Sequence, residues 1–331
     1  MNTSIFCVVT SIQAPTSAII QLNDKLIENK ISFILVGDRK GPMEYPQWAD
    51  FLSIDHQYNL PFALSKLLPE KHYARKNLGY LRALSQGAQV IYETDDDNAP
   101  EKSWQLYCSD HVKAELVGKS QWANIYQSFT DENVWPRGLS LQFINEPYSL
   151  LGNGDYYSPI RQGLANGSPD VDAIWRLSMD KEIIFKERDA VVLDKNTWCP
   201  FNSQNTWWSK EVFPLMYLPS FVSFRMTDIW RSFIAQRCVW AIGGKISFHI
   251  ADVYQERNAH YLMKDFEDEI PGYMNNDRIA QVLQETDLLE GRENVSQNLL
   301  TCYKKLVEIG IVPDKEIPLV EAWIRDCSQW M

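Results

Sequence analysis

Apolar and polar positions along the first hundred residues switch between two periods. Compact apolar runs at residues 5–10, 32–37 and 88–92 are separated by stretches with helical spacing at 17–29, 61–68 and 72–86. Runs of the first kind read as buried strands and the stretches between them as helices, which predicts an α/β fold with a mostly parallel central sheet. In such sheets ligands bind beyond the carboxyl ends of the strands. Here those ends carry Thr10 and Ser11, then Gly37, Asp38, Arg39 and Lys40, then Asp95, Asp96 and Asp97, so three polar clusters are expected along one edge.

From about residue 104 to 220 the pattern breaks into short segments rich in Trp, Tyr, Pro, Gly and Asn, which predicts short strands and loops. Its aromatic residues suit a packed core, and equally a cleft that receives the apolar face of a sugar. A longer helix follows, with Thr227 as N-cap, Asp228 in the first turn and Gly243-Gly244 as its stop. Arg237 falls inside that helix's apolar arc, so it is expected either to reach the rim or to pair with a buried acid. The last seventy residues predict helices at 278–289, 294–309 and 316–330. The stripe Leu319, Val320, Trp323, Ile324, Cys327 and Trp330 is expected to dock on the main body.

Composition narrows the function classes. With 331 residues, 45% of them hydrophobic, the chain can bury a sizeable core, but its net charge of −11 repels nucleic acid and anionic lipid. A phosphate-bearing ligand must therefore meet a local basic cluster or a cation. The six cysteines contain no C-x-x-C pair, which argues against a zinc knuckle or disulfide framework and fits reduced thiols. No signal-peptide pattern opens the sequence, and no apolar stretch approaches the roughly 20 residues that span a bilayer. The expectation is a cytoplasmic protein with no transmembrane segment, leaving peripheral docking at the inner membrane face open.

The candidate chemistry centres on the acids at 95–97. Three adjacent carboxylates repel one another, and a divalent cation offsets that repulsion; oxygen ligands select Mn²⁺ or Mg²⁺ rather than zinc. An Asp-rich turn is the purely local alternative. Arg75, Lys76 and Asn77 open the preceding helix, where basic side chains and free backbone N–H groups attract phosphate. His249 and His260 are candidate additional metal ligands. Asp170, Asp172 and Asp228 are candidate general bases toward an acceptor hydroxyl, each with a capping or first-turn role as the alternative. The sequence has no G-x-G-x-x-G, no P-loop and no G-x-S-x-G, so dinucleotide, P-loop and serine-hydrolase readings have no support.

Taken in order, the segments VGDRKGP (36–42), HYARKNLGY (72–80), IYETDDDN (91–98), WPRG (135–138), QGLANGSPDVDAI (162–174), PFNSQNT (200–206) and FRMTDIWR (224–231) resemble the STELLO-type glycosyltransferases over about residues 5–259. A more distant similarity is to the reversibly glycosylated polypeptides, or UDP-arabinopyranose mutases. The resemblance implies a GT-A-type fold with a catalytic domain at 1–259, divided into a donor half at 1–100 and an acceptor half at 101–259, and a helical extension at 260–331. It implies a metal-dependent transferase, in surface polysaccharide synthesis or a related pathway, moving sugar from a UDP- or GDP-sugar donor to a carbohydrate or glycoconjugate acceptor. Asp95 and Asp97 would hold the metal. Thr10, Asp38, Lys40, Arg75, Lys76, Asn77, Asp96 and Arg231 would surround the nucleotide. The alternatives are a nucleotide-sugar mutase or self-glycosylating protein, with Arg137 and Arg231 as attachment points, and a non-catalytic carbohydrate-binding or scaffold protein.

Overall fold

A computed structural model describes residues 4–256 and 261–331. Among them the strands are β1 (Ile5–Thr10), β2 (Ser32–Val36), β3 (Asp50–Leu52), β4 (Val90–Thr94), β5 (Asn98–Pro100), β6 (His111–Gly118), β7 (Ser149–Tyr157), β8 (Ile160–Gly167), β9 (Val191–Leu193), β10 (Asn205–Ser209) and β11 (Ile246–Gln255). The α-helices are α1 (Ser17–Glu28), α2 (Ile54–Tyr58), α3 (Lys76–Ser85), α4 (Tyr126–Phe129), α5 (Ala173–Ser178), α6 (Thr227–Ala241), α7 (Leu262–Glu285), α8 (Val295–Glu308) and α9 (Ile317–Cys327). The strands form one sheet in the order β3-β2-β1-β4-β10-β8-β11-β9-β6-β7, with β5 paired to β11 off that path. The expected α/β class with helices at the carboxyl end is the observed one.

The first half is parallel: β3, β2, β1 and β4 lie side by side in that order, with α1 between β1 and β2 and α2 and α3 between β3 and β4. These strands are continuous apolar runs because both faces are covered, as parallel strands require. In α3, Gly79 sits where the helix backbone meets the sheet; a Cβ there would lie 2.6 Å from Val8 Cγ1 and 2.7 Å from Val36 Cγ2. The helix can lie this close only because that position is glycine. β10 then enters antiparallel between β4 and β8. That reversal brings the aromatic middle of the chain against the donor half, so the ends of β1, β2 and β4 face the loops around β8 and β10.

α6 begins at Thr227 itself, so Met226 rather than the expected Thr227 is the N-cap, behind a 3₁₀ turn at Phe224–Met226. Gly243, with φ of +73°, ends it in the left-handed region that favours glycine. Arg237 takes neither of its expected roles: Nε lies 2.8 Å from the Leu283 carbonyl and a terminal nitrogen 2.6 Å from that of Thr286, so it caps the last turn of α7. α7 starts sixteen residues earlier than periodicity suggested, because Pro271 and Gly272 interrupt the pattern that a helix reading relies on. The carboxyl-terminal helices join the main core. Asp326 accepts from the backbone N–H groups of Ala63 and Leu64 at 3.0 and 2.9 Å, Glu316 from those of Ser220 and Phe221 at 2.9 and 2.8 Å, and Trp323 donates to the Pro214 carbonyl at 2.8 Å. No helix among the described residues is long and apolar enough to cross a membrane.

Candidate active site

The site grows out of the end of β4. Inside the strand, Glu93 is fully buried and accepts from Arg231 at 2.7 and 3.0 Å, from Trp208 Nε1 at 2.8 Å and from the Tyr80 hydroxyl. The charge taken out of water is thus matched by a bidentate guanidinium and two further donors. Beyond Thr94 the chain turns, and Asp95, Asp96 and Asp97 emerge. Lys76 Nζ, itself buried, donates to the Thr94 carbonyl at 2.9 Å and stands 3.6 Å from Asp95 Oδ1. Ser11 donates to Asp96 Oδ2 at 2.5 Å, and Thr16, the N-cap of α1, donates to the Asp96 carbonyl at 2.6 Å. These two bonds fasten the β1–α1 loop to the acidic turn. Gln255 at the end of β11 donates to both oxygens of Asp97 at 3.1 Å.

The acidic turn lines a cavity of about 380 Å³ whose opposite wall carries Arg137, Asp170, Arg225 and Asp228. Arg137 forks in two directions, meeting both oxygens of Asp170 at 2.7 Å and both of Asp228 at 3.0 Å. Arg225 continues the chain of charges to buried Glu269 at 2.8 Å. Burial alone would raise Asp228, but Arg137 overrides it and holds the carboxyl at about 2. Asp95 is pushed the other way, to about 7. Burial is the main cause, opposed by Lys76 and reinforced by Asp97, Asp228 and Asp96. One cavity therefore holds an anion kept ionised by arginine and an acidic turn that is short of positive charge.

A second cavity of about 370 Å³ adjoins the first, with Thr10, Ile12, Tyr73, Asp96 and Phe224 on the walls of both. Its far end is built from Gly37, Asp38, Lys40 and Arg75 at the ends of β2 and α3. Asp38 accepts from the His72 and Arg39 backbone N–H groups at 3.0 and 2.6 Å. Arg75 is buried; its Nε donates to Gln57 Oε1 at 2.5 Å and one terminal nitrogen to the Leu68 carbonyl at 3.0 Å. The other terminal nitrogen has no hydrogen-bond partner among the described residues. A donor left unsatisfied in a cavity wall favours a ligand acceptor there.

Comparison with known proteins adds an independent line. Residues 225–330 match the family model described as STELLO glycosyltransferases. Over 330 residues the chain is 28% identical to "Probable glycosyltransferase STELLO2" of Arabidopsis thaliana, covering 88% of this chain and 41% of the relative. Over 327 residues it is 26% identical to "Probable glycosyltransferase STELLO1" of the same plant, covering 88% and 40%. The chain is thus similar to STELLO glycosyltransferases over most of its length. It spans about two fifths of the length of these STELLO proteins, and the family-model match takes in Asp228 and the helices α7, α8 and α9.

Within this framework the residues singled out from the sequence divide into two groups. Thr10, Asp95, Asp96, Asp97, Asp170 and Asp228 line the first cavity, and Thr10, Asp38, Lys40, Arg75 and Asp96 the second. Five others line neither cavity, among them Lys76, which is buried against the Thr94 carbonyl. Asn77 is buried and exchanges hydrogen bonds with the Leu218 backbone at 2.8 and 2.9 Å. Arg231 is consumed by Glu93. Asp172 caps α5, accepting from the Trp175 backbone at 2.8 Å and from Trp135 Nε1 at 2.6 Å; burial, only partly offset by those donors, raises it to about 6. His249 is buried against Tyr107, with ring centroids 4.0 Å apart, and burial lowers it to about 3. His260 lies outside the described residues. Among the described residues no group of three or more His, Cys, Asp and Glu side chains is gathered for a metal ion. Arg176, Ser203 and Gln255 also line the first cavity, and sequence reasoning gave none of them a role. Their signal exists only once β8, β10 and β11 are adjacent.

Proposed function

We propose that this chain is a metal-dependent glycosyltransferase, using a nucleoside-diphosphate sugar as donor and a hydroxyl-bearing carbohydrate or glycoconjugate as acceptor. The observation that carries the reading is the single cavity with an acidic turn on one wall and the Arg137-held pair Asp170 and Asp228 on the other, adjoining a second cavity of about 370 Å³. The donor set of the turn fits a hard cation, since Asp95 and Asp97 offer carboxylate oxygens and, among the described residues, Lys76, 3.6 Å from Asp95, is the one positive charge set against three acids there. Two such side chains are an incomplete sphere, so oxygens of the bound diphosphate or water would complete it. Mn²⁺ or Mg²⁺ bound there would neutralise the charge of the departing nucleoside diphosphate.

The protein's own residues supply the rest. Asp38 and the unpartnered nitrogen of Arg75 would meet the nucleoside, and Lys40 adds local positive charge in an otherwise acidic protein. Asp228, ionised and lining the first cavity, would orient the acceptor hydroxyl and take its proton; Asp172, which lines neither cavity, would not. Attachment of sugar to Arg137 or Arg231 has little geometric support, because both guanidiniums are buried and paired with carboxylates. The reading is tested by incubating the protein with nucleotide-sugars and Mn²⁺ and measuring released nucleoside diphosphate with candidate acceptors. Turnover lost in the Asp95→Asn, Asp97→Asn double variant supports it. Full turnover in that variant, or none from any donor with the native chain, contradicts it.

A further inference from the structure

Two bare apolar side chains stand at the junction of the cavities, one from each half of the fold. Ile12 on the β1–α1 loop is 52% exposed, and Phe224 on the turn before α6 is 54% exposed. Both line both cavities. Their backbones are firmly held. The loop bearing Ile12 is tied at each end to Asp96 through Ser11 and Thr16, and Gly41 packs so closely that a Cβ there would lie 2.9 Å from Ile12 Cα. The turn bearing Phe224 is anchored by Arg137, which donates to the Arg225 carbonyl, and by the ion pair of Arg225 with Glu269. Phe224 itself touches His72 and Tyr73 only edge-on, with centroids 6.1 Å away in each case. More than half of Phe224 therefore stays open to solvent.

Isolated exposed apolar residues are ordinary, but two of them on braced backbones at one constriction, both in contact with the route between cavities, form a surface for a ligand. We infer that Ile12 and Phe224 are an apolar clamp for the ribose of the donor's nucleoside diphosphate. This rests on the donor reading above: a ligand with its phosphates at Asp95–Asp97 and its base by Asp38 and Arg75 must carry its ribose past these two residues. A furanose has an apolar C–H surface, and covering it contributes affinity through burial rather than charge.

The test compares UDP and GDP with inorganic pyrophosphate, each titrated calorimetrically with Mn²⁺ present, on the native chain and on Ile12→Ala, Phe224→Ala and Phe224→Leu. The clamp predicts that each alanine variant weakens the bound nucleotide about tenfold, the loss expected for roughly one side chain's worth of apolar burial. Pyrophosphate, which has no ribose, keeps its affinity, and leucine at 224 restores much of the nucleotide affinity. Unchanged nucleotide affinity in both alanine variants overturns the clamp, as does an equal loss for pyrophosphate, which would mark a general architectural role. If the native chain binds neither nucleotide, the donor reading itself fails, and that outcome is distinct from either of the others.

Discussion

Arg137 holds Asp228 with two parallel hydrogen bonds of 3.0 Å while holding Asp170 with two more at 2.7 Å. One guanidinium thereby fixes two carboxylates from different elements, one ahead of α5 and one in the first turn of α6. Because all three groups are nearly buried, removing the cation leaves two anions without their partner. Arg137→Ala is expected to cost about 3–5 kcal/mol of stability, and Arg137→Lys less, since lysine keeps the charge but not the fork. Urea denaturation of the two variants checks this; a loss under about 1 kcal/mol for alanine would put the pair among weak surface contacts instead.

Asp228 and Asp172 were equal candidates by sequence and are separated by position. Asp228→Asn removes the proton acceptor and one arm of the fork to Arg137, so turnover is expected to fall about a hundredfold or more, with a loss of stability beside it. Asp172→Asn should keep the cap of α5 while weakening the bond from Trp135, with a cost of about 1 kcal/mol in stability and little change in kcat. Steady-state kinetics and thermal melts on the two variants make the comparison. The reverse pattern would return the base assignment to Asp172.

What the sequence made legible was local. The ends of β1, β2 and β4 could be placed because each is a continuous apolar run followed at once by polar residues, and the acids at 95–97 are neighbours in the chain. Partners distant in sequence were hidden. Nothing near Glu93 announces that Arg231 will neutralise it from α6, so Arg231 looked available to a ligand. For Asp172 capping was one of two readings, and a helix of only six residues is too short to decide between them. The antiparallel insertion of β10 was also out of reach, since its Trp-rich run suits a strand of either direction, and with it went the positions of Ser203 and Gln255.

Gly79 tests the packing of α3 on the sheet. A methyl group there collides with Val8 and Val36, so Gly79→Ala should destabilise by about 1–3 kcal/mol despite alanine's better helix propensity. Equilibrium unfolding measures it. A gain in stability would mean that the helix can move away from the strands at no cost.

Asp252 gives a pH dependence with a defined sign. It is fully buried, accepts from Asn205 Nδ2 at 2.7 Å, and burial raises its carboxyl from 3.8 to about 7. Between those values the folded chain holds a proton that the unfolded chain has released, so this group's contribution to stability falls as pH rises and is least favourable above about 7. Asp252→Asn removes the dependence. The melting temperature of the variant relative to the native chain should therefore rise from about pH 5 to about pH 8. A difference that is flat or falls over that range would contradict the burial account.

The central claim is that the turn at 95–97 holds a donor diphosphate through a divalent cation, and its most direct measurement is the Mn²⁺ dependence of nucleoside-diphosphate binding. Calorimetric titration of UDP and GDP, with and without Mn²⁺, should show affinity for at least one that rises at least about tenfold with the metal in the native chain and does not rise in the Asp95→Asn, Asp97→Asn variant. Equal affinity with and without Mn²⁺ in the native chain, or a metal effect of the same size in the variant, would contradict it.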